Sequence, residues 1–486
     1  MIEFQRATLL KERNEEMTLV IAVILIIGYV LIATENFNHI NKAAVAMFIG
    51  VCGWILYMCN GSNYVMSEHA DNYLDFLNGM PSTSSTVKDF ISQNVFLKYI
   101  TNSCEIVLFL LATMGIVEVL NNNGCFDFIS EWLRTRKSKR LLWSLAIVSY
   151  LISANLDNIT TAAMMLVIMH TLVENSRMRM YYAAIIVLAV NCGGSFTVIG
   201  DITGLALWVK GAVTPTNYSA ALFLPSLVAM AVPTWLVSRK LPEYLDISQY
   251  SPRFRGDDTT LNRWQRILML VVGIGGLWFI PTFHRITHLS PFVGALCVLS
   301  LLWIVNELCN RKLMNADQMV MRRLPHALQY RSVQAILFFI GVSLAVGAIH
   351  ETGALRSVAS WCHDNISNIY ILSIMLGAIS CVLDNIVVVL TNLSMFPIVE
   401  GTTLVSHSAS ADYTAAFMQD GSFWQLVSYC SALGGSILTI GTMTGYVLMK
   451  AEGISLFWYF RYMSGKVFLG WLAGLSVYFL TTTLFV

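Results

Sequence analysis

Leu156-Asp157-Asn158-Ile159-Thr160-Thr161 lies between two apolar runs, LLWSLAIVSYLISA before it and AAMMLVIM after it. A second copy, Leu383-Asp384-Asn385-Ile386-Val387, lies between ILSIMLGAIS and VVVLTNLSMF. A carboxylate in hydrocarbon is costly unless partnered, so an ionisable residue inside an apolar segment points to function. Two such carboxylates in matching surroundings sharpen that reading.

Each copy is followed by a second shared pattern, GGSFTVIGDITG from Gly193 to Gly204 and GGSILTIGTMTG from Gly434 to Gly445. The two align without a gap. A third match precedes the Asp-Asn pairs: Met114-Gly115-Ile116-Val117-Glu118 resembles Val346-Gly347-Ala348-Ile349-His350, with Gly124 and Gly353 shortly after. Three matches in one order indicate an internal duplication, the usual pointer to a secondary transporter with its site at the repeat interface.

Composition fixes the class. The 486 residues are 56% hydrophobic and 12% charged, with a mean hydropathy of +0.63, against about 25% charged for soluble domains. The expectation is an all-α polytopic membrane protein whose immediate partner is lipid. A net charge of +1 gives no reason to expect nucleic acid. Ten cysteines are scattered without a Cys-x-x-Cys pair, so they are read as small core residues, and no cofactor is expected. The apolar run Met17 to Ala33 is read as a retained membrane helix, because both signs of charge precede it and further spans follow.

The organisation reads as N-terminal membrane helices and a loop (1–102), then a first repeat (103–238) with a hairpin at 153–161 and a helix break at 193–204. A cytoplasmic linker (239–266) leads to further membrane helices and a basic loop (267–331). The second repeat (332–449) has its hairpin at 380–388 and its break at 434–445, and an interfacial piece and last helix (450–486) close the chain. The first repeat carries Arg134, Arg136, Lys137, Lys139 and Arg140 where the second has only Arg356. Likewise Arg177 and Arg179 follow the first Asp-Asn segment, whereas 401–422 has no Lys or Arg. Cytoplasmic loops collect basic residues, so the repeats are expected to be inverted. The apolar runs beside each Asp-Asn turn look short for a span of ~20 residues, which suggests re-entrant hairpins.

Gly-Gly-Ser inside an apolar run is where a helix can unwind and free carbonyls and hydroxyls, tolerated at membrane depth only in a protected cavity. Asp157, Asn158, Thr160, Asn191, Ser195, Thr197 and Asp201 then form a cluster of hard oxygen ligands suited to Na⁺. The ion is placed at Asp157, Asn158, Asn191 and Asp201. The second half supplies Asp384, Asn385, Ser436, Thr439 and Thr442; Thr442 stands where the first half has Asp201, so the first half takes the main cation site. A buried carboxylate can hold a proton or a cation but holds both poorly together, which suffices for exchange. Structural alternatives stand beside these readings: Asp157, Asp201 and Asp384 as helix caps, Asn158 and Asn385 as hairpin ties, and the hydroxyls bonded back to carbonyls. Glu118, His350 and Glu351 are candidates for pH response.

SANLDNITT, NCGGSFTVIGD, the second-half LDN and GGSxLxIG, and HINKAAVAM near the second span resemble the NhaD-type sodium/proton antiporters of the ion transporter superfamily. The resemblance covers nearly the whole chain. It implies exchange of Na⁺, and of Li⁺, for H⁺, with Asp157, Asn191, Asp201 and Asp384 implicated. It also implies a scaffold and a transport domain, a homodimer and elevator-like movement. The expected location of this multi-pass protein is a bacterial inner membrane, with an organelle envelope as the alternative. The family's usual acidic residue late in the span ending at Ile349 is replaced here by His350-Glu351. The closest rival functions are a Na⁺-coupled di- or tricarboxylate symporter and an arsenite efflux permease of the same superfamily. An intramembrane aspartyl protease, which needs Gly-x-Gly-Asp where this chain has Val198-Ile199-Gly200-Asp201, is more distant.

Overall fold

Among residues 2–133, 135–244, 261–310, 330–366, 368–399 and 411–485, which the computed structural model describes, nine helices are long and apolar enough to cross a bilayer. Arg134, most of the expected linker (245–260), most of the basic loop (311–329) and the start of the polar loop (400–410) lie outside the described residues. The long helices include α1 (Ile2–Ala33), α2 (Lys42–Cys59), α3 (Leu97–Asn122), and, after the first Asp-Asn segment, α7 (Pro215–Ser238). That segment is built from α4 (Ser138–Ser153) and α5 (Asn158–Leu172), and is followed by the broken helix α6 (Ser176–Ser195) with its short continuation Ile202–Val209. The second half repeats the plan: α8 (Arg263–Thr287), α9 (Pro291–Cys309) and α10 (Tyr330–Glu351) precede α11 (Asn385–Met395), which starts at the second Asp-Asn pair. The broken helix α12 (Ser422–Leu438) continues as α13 (Met443–Glu452), and α14 (Gly465–Phe485) ends the chain.

Local chemistry sets these boundaries. Asn41 accepts a hydrogen bond from Ala43 N at the start of α2, and Asn175 accepts from Arg177 N and Met178 N at the start of α6, each satisfying first-turn donors. Pro215 and Pro291 occupy first helical positions, where a missing N–H costs nothing. At 16 and 15 residues, α4 and α5 are shorter than the ~20 of a full span.

The chain divides into two compact units. One comprises Met1–Val107, Val333–Leu372 and Leu390–Pro397. In it α2 and α10 touch through glycine: a Cβ on Gly50 would lie 2.7 Å from Gly341 O, and one on Gly341 2.4 Å from Met47 N. Small residues of this kind let helix backbones approach closely. Trp54 Nε1 donates to Leu344 O across the same crossing (3.0 Å), and Tyr57 stacks on Tyr64. On α1 the side chains Leu19, Val20, Val23, Ile26, Ile27 and Val30 remain exposed, as lipid-facing positions do.

The other unit comprises Leu108–Ser332, Ser373–Val389 and Ile398–Val486. Its centre is α6 and α12, buried on every face from Tyr182 to Ser195 and from Phe423 to Ser436, the signature of a helix inside a bundle rather than at its surface. The expected unwinding at Gly-Gly-Ser does not occur: both triplets stay helical, and the breaks lie beyond them, after Ser195 in α6 and after Leu438 in α12. Around them α7 packs on α14 through Gly470 and Gly474, where added Cβ atoms would lie 2.5 Å from Ala229 O and Pro225 O.

Candidate functional site

All twelve residues expected to handle cations lie in the second unit. Asp157 ends the turn after α4 and caps α5: its Oδ2 accepts from Thr160 N (3.0 Å) and from Thr160 Oγ1 (3.1 Å). The capping reading therefore holds for Asp157, and it does not exclude a ligand role, because a carboxylate has about four acceptor positions.

Asp201 behaves differently. It occupies the N-cap position of the helix Ile202–Val209, yet its side chain makes no capping bond. Its Oδ2 accepts from Thr203 Oγ1 (2.9 Å) and from Asn385 Nδ2 (3.1 Å). Asn385 is the first residue of α11 in the second half, so the amide of one Asp-Asn turn meets the carboxylate of the other half's break. Asp157, Asp201 and Asp384 are all buried, and the charges of Asp157 and Asp384 both act on Asp201. Asp384 Oδ1 accepts from Ile386 N (3.3 Å).

The two asparagines have diverged. With its amide nitrogen facing the carbonyls of Gly200 (3.1 Å) and Val190 (3.2 Å) and Ser153 Oγ (2.6 Å), Asn158 ties its own turn to its own break. Glycine at 194 makes room for this side chain, since a Cβ there would lie 2.1 Å from the Asn158 amide. Asn385 instead reaches across to Asp201. Ser380, the counterpart of Ser153, is left with a fully buried hydroxyl that has no hydrogen-bond partner among the described residues.

A second cross-brace joins the breaks. Asn191 Nδ2 donates to Ser436 Oγ (2.8 Å), and Thr444 Oγ1 lies 2.8 Å from Asn191 Oδ1 and 3.1 Å from Thr442 Oγ1. Thr442 caps α13 by accepting from Gly445 N. The remaining hydroxyls bond to backbone carbonyls: Ser195 to Cys192 O (2.9 Å), Thr197 to Ala154 O (2.6 Å) and Thr439 to Leu438 O (2.5 Å). Glu118 is buried on α3 in this unit. His350 and Glu351 belong to the first unit, where Tyr99 OH lies 2.6 Å from both His350 Nδ1 and Glu351 Oε1, and His69 Nε2 lies 2.6 Å from Glu351 Oε2.

The breaks share one construction. A Cβ on Gly200 would lie 2.4 Å from Ser153 O, and one on Gly441 1.8 Å from Ser380 O, so each break presses on the residue four places before its own aspartate. The carbonyl freed at Ser195 accepts from Tyr218 OH (2.8 Å), and that at Ser436 from Tyr459 OH (2.9 Å). These tyrosines, with Thr203 and Thr444, were not singled out by the sequence reading. The signal existed: each tyrosine stands 25 residues after the first glycine of its Gly-Gly-Ser, and each threonine 10 residues after it.

The citrate transporter family, CitMHS, matches residues 29–418. Sodium/proton antiporter 1 of Arabidopsis thaliana is 31% identical over 454 residues, covering 93% of this chain and 70% of the relative. Sodium/proton antiporter 2 of the same plant is 29% identical, covering 93% and 97%. The Na(+)/H(+) antiporter NhaD of Vibrio parahaemolyticus is 28% identical, covering 71% and 82%. Among solved structures, the YdaH transporter of Alcanivorax borkumensis is similar in fold, with a TM-score of 0.52 at 14% identity, covering 81% of this chain and 89% of that one.

Proposed function

The chain belongs to the citrate transporter family CitMHS, with the NhaD-type sodium/proton antiporters among its relatives, and from that premise we propose that it exchanges Na⁺, and Li⁺, for H⁺. The observation that carries the proposal is Asp201: a buried carboxylate at a helix break, not used as a cap, and subject to the charges of Asp157 and Asp384. Buried carboxylates that act on one another, as Asp157 and Asp384 do on Asp201, repel unless protons or a cation neutralise them. Each species that enters lowers the need for the other, and their alternation is antiport. Asp157 and Asp201 supply the main oxygen ligands, with Asn158, Thr160, Asn191, Ser195 and Thr197 about them. Asp384, Asn385, Ser436, Thr439 and Thr442 serve the second half. Glu118, His350 and Glu351 are assigned to pH response.

The basic residues flanking the first repeat and their scarcity beside the second support an inverted arrangement, with the Asp-Asn turns as tips of re-entrant hairpins. Elevator-like movement and a homodimer complete this reading. The protein is a multi-pass membrane protein, and we place it in a bacterial inner membrane, with an organelle envelope as the second location. The family's description favours one rival, Na⁺-coupled citrate uptake. Aspartates in both turns oppose it, because they would repel a polyanion in a low-dielectric cavity.

The test is transport by the purified protein in vesicles with an imposed pH gradient. Added Na⁺ or Li⁺ should dequench a lumenal pH dye, and labelled citrate should not accumulate. Citrate accumulation without cation-driven dequenching across pH 6 to 10 (roughly the range over which a perturbed carboxylate titrates) overturns the proposal.

A further inference from the structure

The outer ends of the two short helices that follow the breaks are held by clasps at matching positions with opposite charge. Beyond Ile202–Val209 the chain runs through Gly211 to Thr214. There Asp420 accepts from Thr214 N (2.6 Å), Thr214 Oγ1 (2.7 Å) and Asn217 Nδ2 (2.9 Å), while Asp420 N donates to Ala212 O (2.9 Å) and Gln419 Nε2 to Gly211 O (3.0 Å). At the end of α13, Glu452 Oε2 accepts from Arg179 Nε (3.1 Å). His170 Nε2 lies 2.5 Å from Glu452 Oε1, as an ion-pair contact. The Glu452 side chain is only 1% exposed.

Asp420 and Arg179 are equivalent by the repeat. Each stands 14 residues before the first glycine of its own Gly-Gly-Ser, at the head of its own broken helix. Each grips the other half's short helix: Asp420 precedes α12 and holds the segment after Val209, whereas Arg179 lies on α6 and holds α13. Glu452 and Gly211 are likewise equivalent, each 18 residues after that glycine. The charge has moved from one side of the clasp to the other, and the mechanical connection has survived. A connection kept through a reversal of its chemistry points to the connection itself as the useful feature.

We propose that Asp420 and the Arg179–Glu452 pair are positioning residues for cation binding, which fix the outer ends of the two short helices so that Asp201 and Thr442 stay aligned at the breaks. The eight-residue helix Ile202–Val209 is about 12 Å long and buried from Thr203 to Trp208, a short rod with its two ends close together. Its inner end presents Asp201. Its outer end is anchored to the second half by Asp420, so tilting the rod requires breaking that clasp. A displacement on the order of 1 Å at a charged ligand is enough to spoil a preorganised site. Because each half's rod is anchored to the other half, the two breaks move as one body.

This inference rests on the exchange reading, and its test separates the two. Wild-type protein and the variants Asp420→Asn, Glu452→Gln and the charge swap Arg179→Glu/Glu452→Arg are compared in vesicles and by amide hydrogen exchange. The single variants should raise the Na⁺ concentration giving half-maximal dequenching roughly tenfold, the order expected for one lost charge-assisted hydrogen bond. The maximal rate should be kept, and the swap should restore half-saturation towards wild type. Amide exchange should accelerate in 202–214 for Asp420→Asn and in 443–455 for Glu452→Gln, each sparing the other segment, a result readable even if wild type moves no Na⁺. Unchanged half-saturation in both single variants, or a fall in maximal rate alone, overturns the positioning role, and so does uniform exchange across both segments.

Discussion

Asp157 and Asp201 are two aspartates in the same sequence position relative to a helix start, put to different uses. Asp157 spends Oδ2 on the first turn of α5, whereas Asp201 accepts from the hydroxyl of Thr203 in its own helix and from Asn385 of the other half. Asparagine caps a helix about as well as aspartate, so Asp157→Asn keeps the cap and removes only the charge. Both Asp157→Asn and Asp201→Asn should fold, with stability within about 1 kcal/mol of wild type, and should reduce Na⁺-driven dequenching to background. Because a ligand that binds only the folded protein stabilises it, Na⁺ should raise the melting temperature of wild type and not that of Asp201→Asn. Full exchange in either variant removes that residue from the mechanism.

At the scale of the element, the question is how a helix can stop within an apolar protein and restart. The answer given twice here is a glycine pressed on the preceding turn and a tyrosine hydroxyl on the freed carbonyl, Tyr218 on Ser195 O and Tyr459 on Ser436 O. A buried carbonyl stripped of its donor costs about 1–3 kcal/mol. Tyr218→Phe and Tyr459→Phe should each destabilise by that amount, measured by chemical or thermal unfolding in detergent. A neutral result for one beside a severe loss for the other would show that the breaks are not built alike. Tyr218 also contacts Ser428 Oγ (2.6 Å), so its substitution should be the costlier of the two.

For the molecule as a whole, the apolar composition demands a membrane, and the few polar clusters away from the proposed cation site then carry information. In the first unit, hydrogen bonding to Glu351 holds the His69 imidazole above its usual range, with Glu68 acting in the same direction and burial and Lys98 against it. A histidine raised in this way stabilises the fold fully below its ordinary value of about 6.5, and that contribution disappears as pH climbs through the raised value. Melting of wild type should therefore fall relative to His69→Gln as pH rises above about 6.5. Parallel melting profiles from pH 5 to 9 (about the span over which imidazoles titrate) would remove His69 from any pH response of this unit.

The sequence by itself determined the membrane class, most of the long apolar helices and, to within a few residues, the places where two of them break. Apolar runs, glycine pairs and lone carboxylates act over a few residues, through hydration and backbone freedom, and can be read without neighbours. Asp157, Asp201 and Asp384 stood out as candidates for that reason, and so did the duplication that pairs Gly193 with Gly434. Only the tertiary structure decided that Asn158 stays in its own half while Asn385 crosses to Asp201, or that Asn191 braces Ser436. It alone revealed the tyrosines on the freed carbonyls, the exchange of charge between the two clasps, and His69 meeting Glu351 across 282 residues of chain. These partners are chosen by how packed helices bring distant segments together, and a hydrogen bond of about 3 Å leaves no trace in local composition.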